Sequence, residues 1–394
     1  MATLTRLTGD LGAAEDAVQE ACEAALRAWD DGGVPRNPRA WLIGVARHKA
    51  LDAVRREAKR PDKETAAMRN LTDRDGPEFL PSDDDGLALL FMCCHPALES
   101  GARIALTLRC VCGLTTAEIA AGFLVPEPTM AKRLVRAKRK IRTAGIPFRT
   151  PTGEDLPSRL VDVLRVVYLV FTEGHMAHTG TDLVRGDLCE TAIELGREIV
   201  RRLPDDPEAE ALLAQLLLTD ARRSARTTAN GELVLLEDQD RNLWDHNMIA
   251  EGEALLERAL RRGRPGPYQL WAAIAACHST APSAADTDWR QIAALYGELV
   301  RYEQTATVEA NRAVAVAMSE GPAAGLVILD TIVVNAQFAR WPPLHIARGD
   351  LLHRLGRDDD AVDAYRTALQ LEPPPAECAF VARRIEELAP SANT

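Results

Sequence analysis

Residues 114–142 read LTTAEIAAGFLVPEPTMAKRLVRAKRKIR, and they decide the fold. Thr116 caps a short predicted helix in which Ile119, Ala120 and Phe123 turn inward. Leu124 and Val125 occupy a turn, and Pro126, Glu127 and Pro128 open a second helix. Proline is tolerated there because first-turn N–H groups have no helical partner. On this second helix Met130, Leu134, Ala137 and Ile141 recur at the spacing of one buried stripe, leaving Lys132, Arg133, Arg136, Lys138, Arg139 and Lys140 on the other face. The pattern is a helix-turn-helix whose second helix fits the DNA major groove, with early residues on base edges and later cations on phosphates. A solvated basic face on a core helix would explain a charge run alone. It would not explain the capped short helix and tight turn in front of it. Many such turns place glycine where a positive φ is needed. Here that position is Leu124 and the glycine, Gly122, comes two residues earlier, which predicts an unusual turn.

Helical periodicity dominates on both sides, and no run of alternating β-branched residues stands against it, so the fold class is all-α. Upstream, DLGAAEDAVQEACEAALRAW (10–29) is rich in Ala, Glu and Leu and puts Val18, Cys22, Ala25 and Trp29 on one face. Glycine and proline in DDGGVPRNP (30–38) end that helix. RAWLIGVARHKALDAVRREAK (39–59) predicts another, with Trp41, Val45, Ala50 and Val54 near one face and Arg47, Lys49, Arg55 and Arg56 off it. Residues 60–84 are polar, proline-containing and aperiodic, which reads as a linker. Helices resume at Asp85 and run to Ala144, after which Pro147, Pro151 and Pro157 mark a boundary. The predicted division is 1–59, a linker 60–84, a helix-turn-helix domain 85–147 and an extension 148–394.

AEDAVQEACEAALRAW (14–29) followed by NPRAWLIGVARHKALDAVRRE (37–57) closely resembles region two of the sigma-70 family, in its small extracytoplasmic-function class. Residues 85–144 resemble region four of the same class, in the matching order. CCHPALESGARIALTLR (93–109), LTTAEIA (114–120) and FLVPEPTMAKRLVRAKRKIRTAGIPF (123–148) resemble the subgroup that carries a C-terminal tetratricopeptide-like extension. The resemblance implies a protein that joins core RNA polymerase and selects promoters. Asp16, Gln19 and Glu20 then match the surface that docks on the β′ clamp helices, and region four implies a contact with the β flap. The turn 31–38, with Arg36, Asn37, Arg39 and Trp41, matches the loop that captures a flipped base of the −10 element. Arg47, Lys49, Arg55 and Arg56 match the basic face beside it. Thr115, Thr116, Glu127, Thr129, Met130, Lys132, Arg133 and Arg136 match the −35 reader. Capturing an unstacked base costs a few kcal/mol, so a pocket that holds only the opened strand shifts the duplex toward melting. The family's usual first helical stretch is represented here only by MATLTRL, which implies either a start further upstream or a shortened first helix.

The extension is clearest at LHIARGDLLHRLGRDDDAVDAYRTALQLEP (344–373), where Gly349, Leu352, Leu355, Gly356, Ala361, Tyr365, Ala368 and Pro373 approximate a tetratricopeptide repeat. Weaker echoes sit at 309–330 and 189–218. Such repeats stack into a solenoid whose groove usually takes a peptide or protein, so a partner is expected; the alternative is a rigid spacer. Net charge is −11, which argues against a protein that coats nucleic acid. Residues 1–150 hold 23 Lys and Arg against 20 Asp and Glu, whereas 151–394 hold 24 against 38. That split would let the acidic extension mask the basic helix. No apolar run approaches the ~18 to 20 residues of a membrane span, and MATLTRLTGDLG has no secretory pattern, so no membrane role and a cytoplasmic home are expected. Eight scattered cysteines then read as reduced thiols.

Two tempting metal sites fall short. Adjacent cysteines on a helix point ~100° apart, so Cys93, Cys94 and His95 with Cys110 and Cys112 suit core packing better than one tetrahedral ion. Glu173, His175 and His178 have closer to ligand spacing, but no third strong ligand lies nearby in sequence. No metal, no cofactor and no enzyme chemistry is expected, since no nucleophile with a base and no phosphate loop can be made out. The competing function is a stand-alone helix-turn-helix regulator, in which the acidic face of the first helix has no role. A helical scaffold or enzyme with a metal site at 173–178 is a third reading.

Overall fold

A computed structural model describes residues 1–58, 85–123, 125–175, 186–228, 234–335, 338–373 and 375–388. The predicted linker 60–84, Leu124 of the turn and His178 lie outside the described residues, as do the side chains of Arg39, Val54, Arg55 and Arg56. The described elements are helices, without a strand among them, and they form two compact units, Met1–Leu169 and Val170–Thr394.

In the first unit α1 (Ala2–Thr8) leads through Gly9, at φ 67°, to α2 (Leu11–Gly32). Asp10 caps α2, its Oδ1 accepting from Gly12 N at 2.7 Å and Ala13 N at 3.0 Å. The buried face of α2 is Ala14, Ala17, Ala21 and Ala25; the first three pack with Leu4 and with Ala46 and Ala50 of α3 (Pro38–Ala58). Cys22, expected on that face, is exposed. The stripe is rotated because α2 packs through alanines, whose small side chains let α3 come close but carry little hydrophobic signal. Rings of Trp29 and Trp41, 5.4 Å apart, join α2 to α3 near the intervening turn.

The helix-turn-helix domain comprises α4 (Asp85–Cys93), α5 (Ser100–Cys110), α6 (Thr116–Gly122) and α7 (Glu127–Thr143). Thr115, one residue before the expected cap, starts α6. Its Oγ1 accepts from Glu118 N at 3.2 Å, and Glu118 Oε2 accepts from Thr115 N at 2.7 Å, a reciprocal capping box. Met130, Leu134, Ala137 and Ile141 form the buried stripe of α7. Cys93, Cys94 and Cys110 are core residues, and burial pushes the Cys94 and Cys112 thiols up to about 12. The first part of α8 (Asp155–His175) also belongs to this unit: Arg159 Nη2 donates to the Phe91 carbonyl at 2.6 Å and Arg103 pairs with Asp162. The compact unit, which takes in this part of α8 together with the helix-turn-helix domain, ends at Leu169.

The second unit strings together α9 (Gly186–Arg202), α10 (Pro207–Asp220), α11 (His246–Arg261), α12 (Pro267–Ser279), α13 (Trp289–Leu299), α14 (Ala306–Glu320), α15 (Pro322–Val333), α16 (Pro342–Arg354), α17 (Asp358–Gln370) and α18 (Pro375–Leu388). Each packs on the next, the nearest-neighbour stacking of a solenoid. Gly349, Leu352, Ala361, Tyr365 and Ala368 are buried at the α16–α17 contact, as the repeat pattern requires. A Cβ added to Gly349 would lie 2.6 Å from the Tyr365 ring, so only glycine admits that aromatic.

Candidate nucleic-acid interface

On α7 the exposed face presents Glu127 and Thr129 in the first turn, then Lys132, Arg133 and Arg136, then Arg139 and Lys140. Lys132, Arg133 and Arg136 have no ion pair among the described residues, so their charge is available to an anionic partner. Met130, predicted with this reading surface, is 0% exposed and belongs to the core; it cannot touch a base. Its place in the stripe and its place among the readers were incompatible, since one side chain cannot serve both faces. Thr115 is exposed, with its hydroxyl engaged by Glu118, and Thr116 is half-buried.

The last cations of α7 are used differently. Lys138 pairs with Glu15 of α2, Arg109 of α5 reaches the same carboxylate at 2.7 Å, and Arg142 lies 3.5 Å from Asp10. Burial works to raise the Glu15 pKa, but Lys138 and Arg109 outweigh it and hold the carboxyl below its ordinary value. Glu15 is thus an ionised, half-buried tie between the N-terminal helices and the helix-turn-helix. Sequence reading missed it, because its partners lie 94 and 123 positions away.

Asp16, Gln19 and Glu20 are all exposed on α2. Asp16 has no ion pair among the described residues, whereas Glu20 lies 3.2 Å from Lys49 of α3. The predicted polymerase face and the predicted −10 face are therefore adjacent, linked by one surface pair. Arg36 is exposed, and Asn37 caps α3, its Oδ1 accepting from Ala40 N at 3.0 Å. Trp41 is half-buried beside Trp29, and Arg47 is half-buried. Two apolar side chains not singled out in the sequence, Leu26 and Val34, are 76% and 67% exposed near the same turn. Nothing in their periodicity set them apart from core residues.

Away from this surface, His175, Cys189 and Asp220 bring one donor atom each to within 4.8 Å of one another. Cys189 and Asp220 are distant from His175 in sequence, and Glu173, an expected partner, is not in this cluster of described residues. A dication would fit poorly: both Asp220 oxygens accept from Arg223, and Arg226 donates to the His175 carbonyl.

Comparison with known families places sigma-70 region 2 at residues 1–60, sigma-70 region 4 at 88–141 and a tetratricopeptide repeat at 342–375. A family of unknown function, DUF6596, matches residues 159–260. An uncharacterized protein of Rhizobium meliloti is 43% identical over 99% of this chain and 93% of its own length. The ECF RNA polymerase sigma factor SigL of Mycobacterium tuberculosis is 35% identical over 35% of this chain and 77% of its own. The probable sigma-C factor of Mycobacterium bovis is 31% identical over 33% of this chain and 68% of its own.

Proposed function

The chain belongs to the extracytoplasmic-function sigma factors of RNA polymerase, and from that premise we propose how its surfaces divide the work of promoter recognition. As a sigma factor it binds core polymerase and promoter DNA and initiates transcription. Arg133 and Arg136, with Lys132, Thr129 and Glu127, read the −35 element from the start of α7. The observation that carries this assignment is the unpaired, exposed cationic face opposite a fully buried stripe. Lys138 and Arg142 are left out of it, since both are held by α2. Asp16, Gln19 and Glu20 dock on the β′ clamp helices, and the helix-turn-helix domain meets the β flap. Around the α2–α3 turn, Arg36 and Trp41 face the opened −10 strand, with Trp41 as the stacking surface and Lys49, Arg47, Arg39, Arg55 and Arg56 supplying phosphate contacts. Asn37 serves this loop as a cap. The tetratricopeptide-like extension offers a protein-binding groove that regulates the factor.

Run-off transcription with purified core polymerase, on the promoters of its own gene and its neighbours, tests the reading. Transcripts should depend on the full chain. Arg133→Ala or Arg136→Ala should weaken −35 recognition by about 1–3 kcal/mol, if each contacts a base. An unchanged footprint would remove those two residues. A chain that binds DNA alone, gives no transcript and does not co-elute with core polymerase would be a stand-alone regulator instead.

A further inference from the structure

The second unit contains a cluster of guanidinium groups with too few carboxylates. Arg222 follows α10, Arg226 follows the short turn Arg223–Ala225, and Arg241 opens the turn Arg241–Leu243. These segments are fixed to one another and to the end of α12: Asp245 N donates to the Ala221 carbonyl at 2.8 Å and Ser279 Oγ to the Leu218 carbonyl at 3.1 Å. Leu218, Ala221, Ala225 and Trp244 share one apolar core beside them.

Asp220, the nearest acid in the chain, is spent on Arg223, which also takes Glu190 at 2.9 Å. Arg226 is 9% exposed and donates to the His175 carbonyl, and Asp220 acts on it through space without an ion pair. Arg241 donates to the carbonyls of His278 at 2.9 Å and Ala281 at 2.7 Å and lies 4.3 Å over the Trp244 ring. Asp286 acts on it through space without an ion pair. Arg222, half-buried, makes neither a side-chain hydrogen bond nor an ion pair among the described residues. Around these cations, His175 Nδ1, His278 Nδ1 and Trp244 Nε1 are buried without a hydrogen-bond partner. A buried charge left uncompensated is strongly unfavourable, and unpaired buried donors call for an occupant.

We propose that Arg222, Arg226 and Arg241, with the ring nitrogens of His175, His278 and Trp244, form a binding site for a small phosphate-type oxyanion. Guanidinium forks match tetrahedral oxyanions geometrically, and the indole and imidazole N–H groups supply the remaining donors. The electrostatics agree. Burial and then Arg226 and Arg241 lower the Arg222 pKa to about 10; burial and then Arg222 and Arg241 lower that of His278 to about 4. An anion relieves that repulsion, whereas a metal ion at His175, Cys189 and Asp220 would add to it. Such a site gives the extension a chemical input separate from its repeat groove.

Melting of the full chain in inorganic phosphate against chloride, at matched ionic strength and pH, tests the proposal, with calorimetry for affinity. Phosphate should raise the melting temperature saturably. Arg222→Met should lower phosphate affinity at least tenfold, yet melt no lower than wild type in chloride, because it removes an unpartnered charge. Arg301→Met, at an exposed residue paired with Glu298, should keep the full phosphate response. Glycerol phosphate alongside separates a free-ion site from one that admits an organic phosphate, and either supports the site. Equal melting in phosphate and chloride would overturn it, as would a phosphate shift that survives Arg222→Met. A zinc-dependent shift abolished by Cys189→Ser, without any phosphate response, would assign the cluster to a metal instead.

Discussion

At the scale of single residues, burial decides which polar groups act and which are merely held. His175 and His278 show this through pH. Burial, followed by Arg226, Arg222 and Arg223, lowers the His175 pKa to about 2, and His278 sits at about 4, so both rings are neutral in the folded chain. The unfolded histidine takes its proton near pH 6.5. Their contribution to stability is therefore complete above that pH and is lost as pH falls through it, down to about 4 for His278 and lower for His175. Each ring should cost on the order of 1 kcal/mol per pH unit in that window. Denaturant unfolding at pH 7.5 and 5.5 measures the loss, and His278→Asn should make it smaller; an unchanged slope would mean that this ring is protonated in the fold. Residues also show where sequence reading is sharp. The stripe Met130, Leu134, Ala137 and Ile141 was legible because its period is strong, but Met130 could not then also face DNA. The cap at Thr115 was missed by one position because neighbouring threonines offer the same hydroxyl, and only the backbone path chooses between them.

Elements meet through features that the sequence holds only diffusely. In the α16–α17 pair, Gly349 faces Tyr365 at a distance that excludes a methyl group. Gly349→Ala should destabilise the second unit by about 1–3 kcal/mol through overpacking, read as a lower denaturation midpoint with an unchanged slope. This contact was legible, since the repeat signature pairs a small residue with an aromatic one turn-helix later. The tie between α2 and α7 was not. Glu15 looks like any helix-surface acid until Arg109 and Lys138 converge on it. Glu15→Gln keeps the shape and removes the charge, so it should loosen the helix-turn-helix from α2 and speed association with core polymerase, measured by stopped-flow fluorescence. A slower association would make Glu15 part of the docking surface. The guanidinium cluster escaped sequence reading for the same reason: Arg222, Arg226 and Arg241 gather with His175 and His278 only after α8, α10 and α12 have packed.

For the whole molecule, the all-helical architecture could be read from periodicity and punctuation, and the order of the sigma regions from the resemblance of their motifs, whereas the end of the first compact unit at Leu169 could not, because α8 runs on without a break across it. The ion pairs that join Glu15 to Arg109 and Lys138 have a consequence in length. Elements named −10 and −35 lie about 25 base pairs apart, or ~85 Å along B-form DNA at ~3.4 Å per pair. We propose that those ion pairs part when one chain engages both elements, and that the expected linker, the 25 residues 60–84, then sets its reach. A chain of that length covers at most ~90 Å at ~3.3–3.6 Å per residue, close to the spacing between the elements. Removing ten of its residues would cut the reach to about 52 Å and should abolish transcription from promoters that need both elements, while polymerase binding persists. Undiminished transcription would mean that the two readers span less of the promoter than its nominal spacing implies.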